Sequence, residues 1–231
     1  MIDLTTLEER IGVSFKNKDL LMQAFIHRSY INENPKFKLS HNERLEFLGD
    51  AVLELVATDY LYKKFPESPE GELTAYRSSL VNATIIAEIA GELSMNDYLF
   101  LSKGESRDTG KARQYILANT YEALIGALYL DQGYDVAAKF IIDTLLPRTD
   151  DIVKNKLWKD AKSFVQEQAQ EHEGVTPAYR VLNETGPDHD KRFTVGLFLK
   201  DGMISEGKGK SKQEAEQDAA KAALKKKGWA E

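Results

Sequence analysis

The feature that most constrains the fold is a change of hydrophobic period about two thirds of the way along the 231 residues. Up to about Pro147, apolar residues recur three and four apart in residues 20–30, 40–65, 73–93, 114–130 and 136–146. That spacing keeps one face of a helix apolar. Gly and Pro mark the gaps, at Pro35, Pro66, Pro69, Gly91, Gly104, Gly110 and Gly133. No segment there reads as a strand. After Trp158 the period falls to two: Phe193, Val195, Leu197 and Leu199 alternate with Thr194, Gly196, Phe198 and Lys200. Residues 179–184 and 203–207 are predicted to pair with this segment across turns. A helix at about 160–171 precedes the strands. A last helix opens on an S-x-x-E capping box, Ser211 to Glu214, and packs through Ala215, Ala219, Ala222, Ala223 and Leu224. The expectation is an all-α domain over 1–149, a partly helical linker over 150–158, and a small α+β domain of order α-β-β-β-α over 159–228.

Charge separates the same two parts. From Trp158 onward 13 bases face 13 acids, leaving 18 bases against 24 acids in the first 157 residues, so the net −6 lies entirely in the front. Different tasks for the two parts follow from that asymmetry. The absence of cysteine removes disulfides and thiolate metal sites and points to a reducing cytoplasm. Residues 1–10 carry three acids and no long apolar run, so no secretory signal is expected. No stretch approaches the roughly 20 apolar residues of a membrane span.

Residues 40–56 form the most informative helix. At about 100° per residue, Glu43, Glu46, Asp50 and Glu54 fall on one side. Leu45, Leu48, Val52, Leu55 and Val56 fall on the other. A solvated acidic face would explain this, with Glu43 completing a capping box from Ser40. Phe47 contradicts that reading, because a large aromatic on the acidic side is better placed against a second subunit. Four acids without interleaved bases also repel one another unless a cation neutralises them.

Across residues 114–130, Glu122 is the only charge. Ala118, Asn119, Ala123 and Gly126 around it are small or neutral and let another helix approach closely. A lone carboxylate on a buried helix needs a base, a backbone partner or a metal. Glu46 and Asp50 at i,i+4, facing Asn119 and Glu122 at i,i+3, would form an oxygen-only donor set. Such a set suits Mg²⁺ or Mn²⁺ rather than zinc.

The segment H-N-E-R-L-E-F-L-G-D at residues 41–50 resembles the signature of the ribonuclease III family. Similar pieces are His27-Arg28-Ser29-Tyr30, Lys103-Gly104-Glu105 and I-L-A-N-T-Y-E-A-L-I-G-A-L-Y-L-D at 116–131. The rear part resembles the double-stranded-RNA-binding domain through T-P-A-Y at 176–179, G-P-D-H at 186–189 and G-K-G-K-S-K at 207–212. The resemblance implies that Glu46, Asp50 and Glu122 are metal-binding catalytic carboxylates, that Glu43 and Glu70 are accessory acids, and that Phe47 plugs a socket in a second subunit. The family's fourth catalytic acid falls at position 119, where this chain has Asn. An amide oxygen can ligate Mg²⁺, but it brings no negative charge and accepts no proton.

The implied activity is Mg²⁺-dependent hydrolysis of double-stranded RNA by a cytoplasmic homodimer, with Mn²⁺ as a substitute. The cuts would leave 5′-phosphate and 3′-hydroxyl ends with short 3′ overhangs, in the maturation of rRNA precursors and other transcripts. Lys208, Lys210 and Lys212, at the start of the capped helix, suit phosphates. Gln166 and Gln170, four apart, suit minor-groove 2′-hydroxyls, with His189 in the loop between strands. Each of these residues alone is ordinary surface; only the assembled pattern points to RNA. Asn119 keeps a second reading open, a catalytically impaired double-stranded-RNA-binding or RNA-chaperone protein. A third, a helical dimerisation module, leaves the rear motifs unexplained.

Overall fold

The structure is a computed structural model that describes residues 4–154, 161–187 and 191–229. It divides into two compact units, Met1–Trp158 and Lys159–Glu231.

The described residues of the first unit form helices α1 (Thr5–Ile11), α2 (Lys18–Ala24), α3 (Arg28–Glu33), α4 (Glu43–Lys64), α5 (Glu70–Leu80), α6 (Ala83–Glu92), α7 (Lys111–Gln132), α8 (Tyr134–Thr144) and α9 (Thr149–Lys154). Helix α7 is the hub. Tyr121, Ala123, Leu124, Ile125, Ala127 and Leu128 are all fully buried, so the helix is enclosed on nearly every side rather than along one stripe. Helix α4 lies against it, burying Leu45, Val52, Leu53 and Val56.

Several local expectations need correction. The predicted helix over 20–30 is two helices, because Ile26 forms a parallel bridge with Phe100 between them. The helix over 73–93 is also two; Asn82 caps α6 by accepting from the amides of Thr84 and Ile85. No Ser40–Glu43 capping box forms. Helix α4 starts after Asn42, whose buried side chain donates to the Ala24 carbonyl at 3.0 Å instead. Leu55, expected on the buried side, is 57% exposed, and Leu53 takes the core position. The segment read as a linker begins within α9, where Ile152 is buried; residues 155–158 lie outside the described residues.

The second unit runs α10 (Ala161–Glu173), β1 (Ala178–Thr185), β2 (Arg192–Leu199), β3 (Gly202–Gly209) and α11 (Lys212–Lys227). The strands form one antiparallel sheet in the order β1-β2-β3. Val195, Leu197 and Leu199 of β2 are buried, as their alternation requires. They pack with Phe164, Val165 and Ala169 of α10 and with Ala219, Ala220, Ala223 and Leu224 of α11. Two glycines let β3 touch α11. A Cβ on Gly209 would stand 2.5 Å from the Ala215 nitrogen, and one on Gly207 would stand 2.7 Å from the Ala219 Cα. Ser211 caps α11 by accepting from the Glu214 amide at 3.1 Å. Among the described residues no helix is long and apolar enough to cross a membrane.

Candidate active site

The site is built by the meeting of α4 and α7. A Cβ on Gly49 would stand 2.7 Å from the Glu122 carbonyl carbon and 2.8 Å from the Gly126 nitrogen. One on Gly126 would stand 3.0 Å from the Leu45 carbonyl carbon. The two backbones therefore touch through paired glycines, and the helices run antiparallel at the crossing, since Gly49 abuts Glu122 while Leu45 abuts Gly126. Only hydrogen in place of a side chain permits this approach.

That contact sets the electrostatics. Glu122 is half-buried, and its carboxyl is pushed up to about 7, first by burial and then by the charges of Asp50, Glu46 and Glu54. Glu46 is raised as well, first by burial and then by Glu43 and Asp50. Among the described residues no basic side chain forms an ion pair with Glu46, Asp50 or Glu122. Glu122 is thus not a carboxylate satisfied by arginine. Asn119 is half-buried one turn before it.

These donors are all hard oxygens, and the charge they share has no compensating base among the described residues. This fits a hard divalent cation such as Mg²⁺ or Mn²⁺. Among the described residues no three His, Cys, Asp or Glu side chains are already drawn into a closed metal cluster.

Glu43 and Glu70, the acids expected to be accessory, have partners of their own. Glu43, the first residue of α4, lies 3.8 Å from the Arg28 guanidinium and 3.7 Å from His41 Nδ1. Glu70, at the start of α5, accepts from the Thr74 hydroxyl at 3.0 Å. Neither contributes to the shift of Glu122. Glu54 does, and it is ion-paired with Arg77 Nε at 2.9 Å. Its place on the acidic face was visible in the sequence; its link to Glu122 depends on where α7 lies.

Phe47 is 81% exposed beside the acids. It lines a cavity of about 600 Å³ together with Leu20, Leu45, Leu48 and Leu130.

On the second unit, Gly207 and Gly209 face α11, so Lys208 and Lys210 alternate outward and are exposed. Their amides donate to Asp218 and Glu214, which fixes the backbone beneath them. Lys212 follows at the start of α11, its ammonium 5.8 Å from the Phe193 ring centre. Gln166 and Gln170 are exposed on α10. His189 lies outside the described residues.

The family profile described as ribonuclease-III-like matches residues 17–149, more than half of the chain. The chain belongs to the ribonuclease III family. A second profile, the double-stranded RNA binding motif, matches residues 161–227 of this ribonuclease III-type endoribonuclease. Curated relatives named Ribonuclease 3 are similar along nearly the whole length. The one from Pelotomaculum thermopropionicum is 45% identical, over 96% of this chain and 92% of that protein. The one from Enterococcus faecalis is 46% identical, over 96% of both. The crystal structure of the ribonuclease III nuclease domain from Campylobacter jejuni is 39% identical, covering 63% of this chain and 95% of that one at a TM-score of 0.57. A second structure of that domain concerns flexibility in a region involved in dimer formation, at 40% identity and a TM-score of 0.56 over 63% of this chain and 99% of that one. The helical nuclease domain followed by an α-β-β-β-α RNA-binding domain is the architecture expected from the sequence.

Proposed function

We propose that this endoribonuclease hydrolyses phosphodiesters in double-stranded RNA with Mg²⁺, or Mn²⁺ in its place. The products are 5′-phosphate and 3′-hydroxyl ends with short 3′ overhangs, made in the maturation of rRNA precursors and other transcripts in the cytoplasm. One observation carries this reading: acids from two helices in backbone contact, unpaired by any described base, with the Glu122 carboxyl pushed up to about 7. Glu46, Asp50 and Glu122 hold the cation, and Asn119 adds a neutral amide oxygen. A divalent ion there supplies Lewis-acid activation of water and offsets the charge that grows on the phosphate. Burial and the neighbouring acids push the Glu122 carboxyl up to about 7, so a cation held there would favour its deprotonated form. Glu43 and Glu70 act from the margin.

A homodimer places two such sites on opposite strands. Phe47 of each copy enters the cavity beside Phe47 of the other, a self-complementary contact of the kind a twofold axis requires. The second unit supplies the hold on RNA that an acidic domain lacks. Lys208, Lys210 and Lys212 meet phosphates, Gln166 and Gln170 reach 2′-hydroxyls, and His189 contacts the duplex from its loop.

Asn119 favours one other reading, a double-stranded-RNA binder of impaired catalysis. Labelled duplex RNA incubated with Mg²⁺, with Ca²⁺ and with chelator separates the two. Cleavage by this chain in Mg²⁺ alone is expected. A gel shift without product here, with ample product from Asn119→Asp, would refute activity in the native chain.

A further inference from the structure

The motif over residues 116–131 ends on an acid that the site between α4 and α7 does not use. Asp131 lies in the last turn of α7, and its carboxylate reaches back to the loop between α1 and α2. Oδ2 accepts from the Lys16 amide and Oδ1 from the Asn17 amide, both at 2.8 Å. The loop before them is held in the same manner. Gln132 Nε2 donates to the Ser14 carbonyl at 3.0 Å, and Glu8 accepts from the Phe15 amide at 2.6 Å. Each residue from Ser14 to Asn17 thus has a backbone group bonded to a side chain of α1 or α7, where a loop would otherwise leave it to water. Asn17 in turn caps α2, accepting from the Asp19 amide at 3.0 Å.

The two segments that Asp131 joins are walls of the cavity beside Phe47. Leu20 follows Asn17 by three residues on α2, and Leu130 directly precedes Asp131 on α7; both line the cavity with Leu45 and Leu48 of α4. Helix α2 has seven residues, too few to hold its own first turn. Leu21 and Ala24 are fully buried, so core packing retains the body of the helix while the Asp131 tie sets where it begins. A carboxylate accepting from two N–H groups makes a stronger and more directional tie than a neutral acceptor.

We propose that Asp131 is a positioning residue of the dimer contact: it fixes Leu20 relative to Leu130 and so sets the width of the cavity that receives Phe47 from a second copy of this chain. The proposal rests on the reading of Phe47 as a plug.

The test is the dimer dissociation constant from sedimentation equilibrium of the full chain, for the native protein, Asp131→Ala, Phe47→Ala and the double variant, with melting curves to show that each is folded. Asp131→Ala should weaken the dimer about tenfold, the middle of the range for coupled residues. With Phe47→Ala already present the same change should cost less than about threefold, because no ring is left to sense the cavity. A loss that came only from a weaker fold would be equal in both backgrounds. Should Phe47→Ala leave no dimer to measure, Phe47→Leu takes its place in the cycle. Asp131→Asn keeps one of the two acceptors and should fall between Ala and the native chain; it decides the matter if Asp131→Ala does not fold. Native dimer strength in the Asp131 variants, or an equal loss in both backgrounds, overturns the proposal while leaving the plug intact. Native dimer strength in Phe47→Ala removes both.

Discussion

The glycine contact between α4 and α7 makes an unusual prediction for Gly49→Ala: catalysis should suffer far more than stability. The added Cβ would stand 2.7 Å from the Glu122 carbonyl carbon and 2.8 Å from the Gly126 nitrogen, with the Glu122 carbonyl oxygen nearer still. Ordinary contact begins near 3.4 Å, so with the Glu122 carbonyl oxygen as the limiting contact the helices must part by roughly 1.5 Å. Overpacking of this kind costs about 1–3 kcal/mol. Alanine recovers about 1 kcal/mol of that through its better helix propensity in the middle of α4. The net loss is about 2 kcal/mol at most, a fall of several degrees in Tm for a chain of this size. The same parting moves Glu122 away from Glu46 and Asp50, and a displacement of only about 1 Å already costs about 100-fold in rate. Melting by circular dichroism and single-turnover cleavage of a duplex RNA measure the two effects. A variant that cleaves within about threefold of the native rate, or one that does not fold, refutes the reasoning.

Other perturbations test other parts. The raised Glu122 favours its protonated form in the folded chain, so its contribution to metal-free stability is present below its ordinary 4.5 and is lost as pH rises through about 7. Mn²⁺ should therefore raise Tm more at about pH 8 than at about pH 6, and an equal gain at both would contradict this. Replacing Lys208, Lys210 and Lys212 with Ala should weaken duplex binding alike for all sequences and flatten its salt dependence by about one unit of slope per lost phosphate contact; a loss confined to one sequence would refute phosphate contact. Phe47→Ala should weaken the dimer by about 2 kcal/mol or more in sedimentation, and an unchanged dimer would remove Phe47 from the interface.

The sequence made the division into two units legible because a change of period is a local property, carried by each segment alone. It also picked out Gly126 as a small residue beside Glu122. What stayed hidden is what depends on distant partners. The break at Ile26 exists because Phe100 pairs with it, and nothing within residues 20–30 carries that information. Asn42, rather than Ser40, precedes α4 because its side chain is spent on the Ala24 carbonyl. Leu55 satisfies the helical spacing of a core residue yet faces outward, since a stripe five residues wide exceeds what α7 and its neighbours cover. Glu54 could be placed on the acidic face from spacing alone. Its coupling to Glu122 required the antiparallel register that Gly49 and Gly126 impose.

The uneven charge of the chain follows from the same chemistry. The proposed cation site of Glu46, Asp50 and Glu122 needs closely spaced acids, and such acids would repel a phosphate backbone in the absence of an ion. An isolated acidic domain would hold duplex RNA weakly. The second unit is neutral overall but exposes Lys208 on β3 and Lys210 just after it, beside glycines pinned to α11. The lysines are fixed by their own backbone rather than by the ionic state of the nuclease site. On the proposed function, affinity and catalysis belong to different units of the chain. Binding of RNA without the metal, and cleavage only with it, is the behaviour this separation requires.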